Sequence, residues 1–84
     1  MHSRYTAIIH MRDPAMGQTW LSLEPLLRVL PGIHRVHIVP VESLAAIDFD
    51  GSLTSLAEIV RVIEDCEFAV VSVAQRRSLV RKAG

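Results

Sequence analysis

The chain has 84 residues, half of them hydrophobic and 21% charged, enough apolar material for one small packed domain and too little for two. Nine Lys and Arg balance nine Asp and Glu, which excludes a whole-chain attraction to nucleic acid or membrane, and the single cysteine, Cys66, excludes a disulfide-stapled secreted scaffold and points to a reducing compartment. No run approaches the ~20 apolar residues of a spanning helix and Met1 to Arg4 leads into no signal-peptide core, so a soluble, cytoplasmic domain is expected.

Arg4 to Met11 reads Arg-Tyr-Thr-Ala-Ile-Ile-His-Met, rich in β-formers and short, which predicts a first strand. Asp13-Pro14 then supplies a helix-start signal, a short carboxylate for orphan N–H groups followed by a residue already at helical φ. Gly17 leaves the start anywhere between Pro14 and Thr19. Met16, Trp20, Leu23, Leu27 and Leu30 recur at helical spacing and form one apolar stripe. Pro25 falls off that stripe, so it should face solvent, and Pro31-Gly32 stops the helix with a glycine able to take the left-handed cap.

Ile33 to Val39 is a second strand with Val36 and Ile38 on one face and Arg35 and His37 on the other. Pro40 to Ser43 turn the chain, and Leu44 to Phe49 return with Ala45, Ile47 and Phe49 sharing a face. Asp50-Gly51 closes that strand. Ser55 and Glu58 form a capping box ahead of a second helix whose buried face is Leu56, Ile59, Val60 and Ile63. Phe68 to Val73, apolar and β-branched, predicts a last strand buried on both faces or nearly so. The order is β-α-β-β-α-β, and two helices can cover only one face of four strands. An α+β, ferredoxin-like sandwich with a four-stranded antiparallel sheet is therefore expected. Residues 1–74 would form the domain and 75–84 a basic tail or linker: the last nine residues hold Arg76, Arg77, Arg81 and Lys82, whereas all nine acids lie before them. A frayed terminus accounts for such a tail as well as a linker does.

The run Leu30-Pro31-Gly32-Ile33, the pair Val36 and Ile38, the strand end Ile47-Asp48-Phe49-Asp50 and the helix end Ile59-Val60-Arg61-Val62-Ile63-Glu64-Asp65-Cys66-Glu67-Phe68 together resemble the heavy-metal-associated domain family over roughly residues 5–73. The resemblance implies a carrier of soft metal ions, chiefly copper(I), either free or as the cytosolic N-terminal domain of a metal-transporting P-type ATPase. It also implies a Cys-x-x-Cys between the first strand and first helix. That motif is missing. Counting back from Pro31-Gly32 puts the cysteine positions at Met16 and Thr19, and counting forward from Met11 puts them at Asp13 and Met16. Neither supplies a thiolate, so a linear bis-thiolate copper(I) site cannot form. Glu67 also stands where the family has glycine, which bears on how the second helix closes.

The remaining donors near that loop are His10, Met11, Asp13 and Met16. Thioether and imidazole could hold copper(I) weakly, and imidazole with carboxylate would suit zinc or nickel. Equally, Met16 could head the helix stripe and Met11 fill the core. Cys66, flanked by Asp65 and Glu67, has a thiol disfavoured from ionising and reads as a buried, inert side chain; in the family the end of the second helix approaches the metal loop, so Cys66 joins the candidate ligands on resemblance alone. His34 and His37, three apart on a strand, point to opposite faces and cannot chelate together. His2 could join His10 opportunistically.

Enzymatic readings find little support. Acylphosphatases share the architecture but need a catalytic asparagine, and the chain has none, although Arg12 follows the first strand. No Ser-His-Asp spacing, phosphate loop or zinc-hydrolase motif occurs. RNA-recognition modules need aromatics on an open sheet face, and the four here are Tyr5, Trp20, Phe49 and Phe68. The expectation is a degenerate metal-domain relative with a regulatory or docking role. Its partners would be the rest of a membrane transporter and a metallochaperone, with weak anionic-membrane contact through the basic tail and no nucleic acid. A stand-alone ligand-sensing or oligomerising module, pairing through an exposed sheet edge or face, is the alternative.

Overall fold

Alternating apolar and polar residues produce the two central strands, and the helical stripes produce the layer that covers them. In the computed structural model, which describes residues 4–12 and 20–77 and the side chains of all of these but Leu21, the elements run β1 (Arg4–Arg12), α1 (Trp20–Arg28), β2 (Ile33–Val39), a 3-10 turn (Pro40–Glu42), β3 (Leu44–Asp50), α2 (Leu56–Asp65) and β4 (Ala69–Arg77). The strands form one sheet in the order β2-β3-β1-β4, and every neighbouring pair is antiparallel. This is the expected ferredoxin-like arrangement. The start of the first helix between Pro14 and Thr19 lies outside the described residues.

Directly opposed residues of antiparallel strands share a face, and here the partners Ala7↔Ile47 and Ile9↔Ala45 are all fully buried. Leu23 and Leu27 of α1 and Ile59 and Ile63 of α2 complete the same core. Both helices therefore cover one face, and Thr6, Ile8 and His10 look out from the other. Two aromatic contacts add to the packing: Tyr5 stacks on Phe49 across β1 and β3, with centroids 5.8 Å apart, and Trp20 of α1 meets Phe68 edge-on at 4.8 Å. Pro25 is exposed, as its place off the stripe requires.

Both helix junctions rest on left-handed residues. Gly32 has φ +82, and a Cβ there would fall 2.8 Å from the Leu53 Cβ, so only glycine lets the Asp50 N–H reach the Gly32 carbonyl at 2.8 Å. At its start α2 is capped by Ser55, whose Oγ accepts the Glu58 N–H at 3.2 Å. At its end Glu67 takes φ 69. Its N–H donates to the Glu64 carbonyl at 2.9 Å, and that of Phe68 donates to Ile63 at 3.3 Å, the paired bonds of a Schellman cap. The helix closure is thus formed with glutamate in the left-handed position.

β4 departs from the sequence reading in two ways. It runs on to Arg77, with Arg76 opposite Thr6 and Arg77 opposite Tyr5, so two of the four terminal cations belong to the sheet; β1 begins at Arg4, and its first residues need partners. Arg81 and Lys82 lie outside the described residues. Nor is β4 buried on both faces. Val71 and Val73 are 60% and 44% exposed, because the two helices leave most of β4 uncovered. What anchors it is Phe68, buried just before it.

Candidate functional site

The donors proposed for the metal loop divide between the two faces of the sheet. Successive strand residues point to opposite sides, so His10 is exposed on the uncovered face while Met11 is buried in the core at 1% exposure. Asp13 and Met16 lie outside the described residues. The Met11 N–H donates to the Ser43 carbonyl at 2.9 Å, fastening the end of β1 to the corner between β2 and β3, where Ser43 itself is left-handed at φ 55.

The β1–β4 register shifts at this point. His10 pairs with Ser72, yet Met11 pairs with Val70, so Val71 is the extra residue of a bulge in β4. A Ser72 Oγ to His10 Nδ1 contact of 3.5 Å follows, and a shallow cavity of about 440 Å³ opens beside it, lined by His10, Met11, Arg12, Ser43 and Val71. Thus the structure brings His10 and Met11 to one cavity. Cys66 does not line it. Arg12, Ser43 and Ser72 are the residues that sequence reasoning did not place here; only the register, with its bulge, sets Ser72 beside His10.

Cys66 caps α2 and is buried. Burial, with the Asp65 carboxylate beside it as a lesser cause, pushes its thiol pKa up, which keeps the group protonated and a poor ligand or nucleophile at neutral pH. His34 and His37 are both exposed on β2. Among the described residues no group of three or more His, Cys, Asp or Glu side chains is gathered around a common point. The cavity's polar lining is the His10 imidazole, the Arg12 guanidinium and the Ser43 hydroxyl, with Met11 and Val71 as its apolar side. It lacks the thiolates that a soft monovalent ion favours.

No protein-family model matches the chain, and no curated protein sequence matches it significantly. Solved structures do match in fold. One is the solution structure of a candidate copper-ion-binding protein from Bacillus anthracis strain Ames, with a TM-score of 0.74 and 22% identity over 84% of this chain and 100% of that one. Another is the crystal structure of a copper binding domain from HMA7, a P-type ATPase, with a TM-score of 0.68 and 19% identity over 83% of this chain and 96% of that one. At these identities the likeness is one of architecture, and it agrees with the order and pairing of the strands described above.

Proposed function

We propose that the chain is a heavy-metal-associated-like domain whose copper-carrying chemistry is weakened or altered, serving as a cytosolic regulatory or docking domain of a metal-transporting P-type ATPase. The observation that carries this is a whole-domain likeness: the fold spans 100% of a candidate copper-ion-binding protein and 96% of a copper binding domain, while the chain has one cysteine in all and that one is buried. A scaffold kept without its thiolates retains its surfaces, and surfaces serve docking. The partners would be the remainder of the transporter and a metallochaperone. Arg76, Arg77, Arg81 and Lys82 would add a weak, salt-sensitive attraction to anionic lipid. Among the described residues no helix is long and apolar enough to cross a membrane, which suits a domain standing outside the bilayer.

Weakened copper binding is tested by competition with a tight copper(I) chelator. His10, Met11, Asp13 and Met16 are expected to lose the metal to it, because thioether, imidazole and carboxylate hold copper(I) far less firmly than two thiolates. Retention of one equivalent would overturn the weak-binding half of the proposal, and His10→Ala and Met16→Ala would then report which donor holds it.

A further inference from the structure

We propose that β4 is a self-recognition edge, through which two copies of this chain pair antiparallel, β4 to β4, into one continuous eight-stranded sheet. This goes beyond the proposed function, since metal affinity plays no part in it.

The sheet has two edges, β2 and β4, and an unpaired edge is a template for another strand. The edges differ in where their charge lies. β2 carries His34, Arg35 and His37 around its midpoint, so antiparallel pairing of β2 with its own copy about Val36 would set Arg35 opposite the other copy's His37. β4 reads Ala-Val-Val-Ser-Val-Ala-Gln-Arg-Arg, with its cations confined to the last two positions. Antiparallel pairing about Val73 brings the arginine end of each β4 alongside the start of the other and keeps the two arginine pairs at opposite ends of the interface. Parallel pairing would stack them side by side.

The acidic residues complete the complementarity. Glu64 and Asp65 end α2, Glu67 follows in the turn, and all three are exposed directly before β4 begins at Ala69. In the antiparallel pair Arg76 and Arg77 of one copy come to this −3 cluster of the other. Glu67 stands in the turn just before β4, at the end of the strand that the partner's arginines approach, within reach of long side chains. The two-fold axis repeats the contact at the other end, as an isologous interface requires. At its centre the half-exposed Val73 meets its own copy. The bulge at Val71 lies within the paired stretch, where it interrupts the ladder on the Ala69 side and shortens the regular interface. A single added strand is small beside the about 1,200–2,000 Å² of stable interfaces. The dimer is therefore weak and tightest at low salt.

Sedimentation velocity of the 84-residue chain, from about 10 µM to about 1 mM at low and high salt, tests the proposal. A monomer–dimer equilibrium weakened by salt is expected. Arg76→Glu/Arg77→Glu makes both ends of β4 acidic, and Glu64→Lys/Glu67→Lys makes both basic, so each variant alone should associate at least tenfold more weakly than the parent. An equimolar mixture of the two should dimerise again, which a misfolded variant could not do. A parent that stays monomeric throughout, variants that associate like the parent, or a mixture of folded variants that remains monomeric would each overturn the proposal.

Discussion

Replacing Glu67 by glycine should make this domain more stable. Glu67 sits at φ 69, and holding an L-residue in the left-handed region costs about 1–2 kcal/mol. Glycine removes that cost but loses about 0.5–1 kcal/mol more backbone entropy on folding. The substitution also deletes a carboxylate from a helix end where Glu64 and Asp65 already oppose the dipole. Such charges are worth about 0.3–1 kcal/mol, toward the low end here because Glu67 is exposed. The net gain is about 1 kcal/mol, or about 4–8 °C in Tm for a domain of this size. Thermal and urea unfolding of Glu67→Gly, Glu67→Gln and Glu67→Ala at micromolar dilution separates the contributions: glutamine removes the charge and keeps the strain, and alanine does the same without a polar group. Glycine should exceed both. If Glu67→Gly melted no higher than Glu67→Gln, the strain assigned to this cap would be absent and the reasoning refuted.

Leu27→Ala and Ile63→Ala, both truncations of fully buried side chains, should each cost about 2–5 kcal/mol, a large share of what so small a domain has; a parent-like urea midpoint for either would contradict its place in the core. Cys66 gives stability a pH dependence. Its pKa is raised on folding, so the folded chain holds the proton more tightly than the unfolded one, and stability falls as pH rises from about 8.5 toward the folded pKa. Below that window the thiol adds no slope. The difference in urea midpoint between the parent and Cys66→Ala should therefore shrink between about pH 8 and pH 10, and a constant difference across that range would show that burial leaves the thiol unperturbed.

What could be read from the sequence was whatever local periodicity encodes. The pairs of apolar residues two apart in β1 and β3, the three-and-four spacing in α1 and α2, Gly32 and the Ser55 cap each specify their own geometry, and the order of elements leaves few ways to bury them. β4 could not be read this way. An apolar run looks the same whether helices cover it or not, and its exposure is decided by where α1 and α2 come to rest. Its extension to Arg77 was hidden for a similar reason, because the length of β4 is set by its partner β1. The candidate site divides along the same line. That His10 and Met11 point apart follows from alternation within one strand, whereas the His10–Ser72 neighbourhood depends on a pairing 62 residues away in sequence and on a bulge that no local pattern announces.

The adjacency of β1 and β4 also decides how the domain answers a mechanical pull. Tyr5 and Arg77 face each other at one end of an antiparallel pair. Tension applied between residues 4 and 77 would therefore open that pair from this end, one rung at a time, and would not load all its hydrogen bonds together in shear. Unzipping of this kind yields at low force and begins by freeing β4, while β2, β3 and the core residues of both helices stay packed. A tether drawn from both ends would thus peel away the outermost strand first and make β1 the new edge.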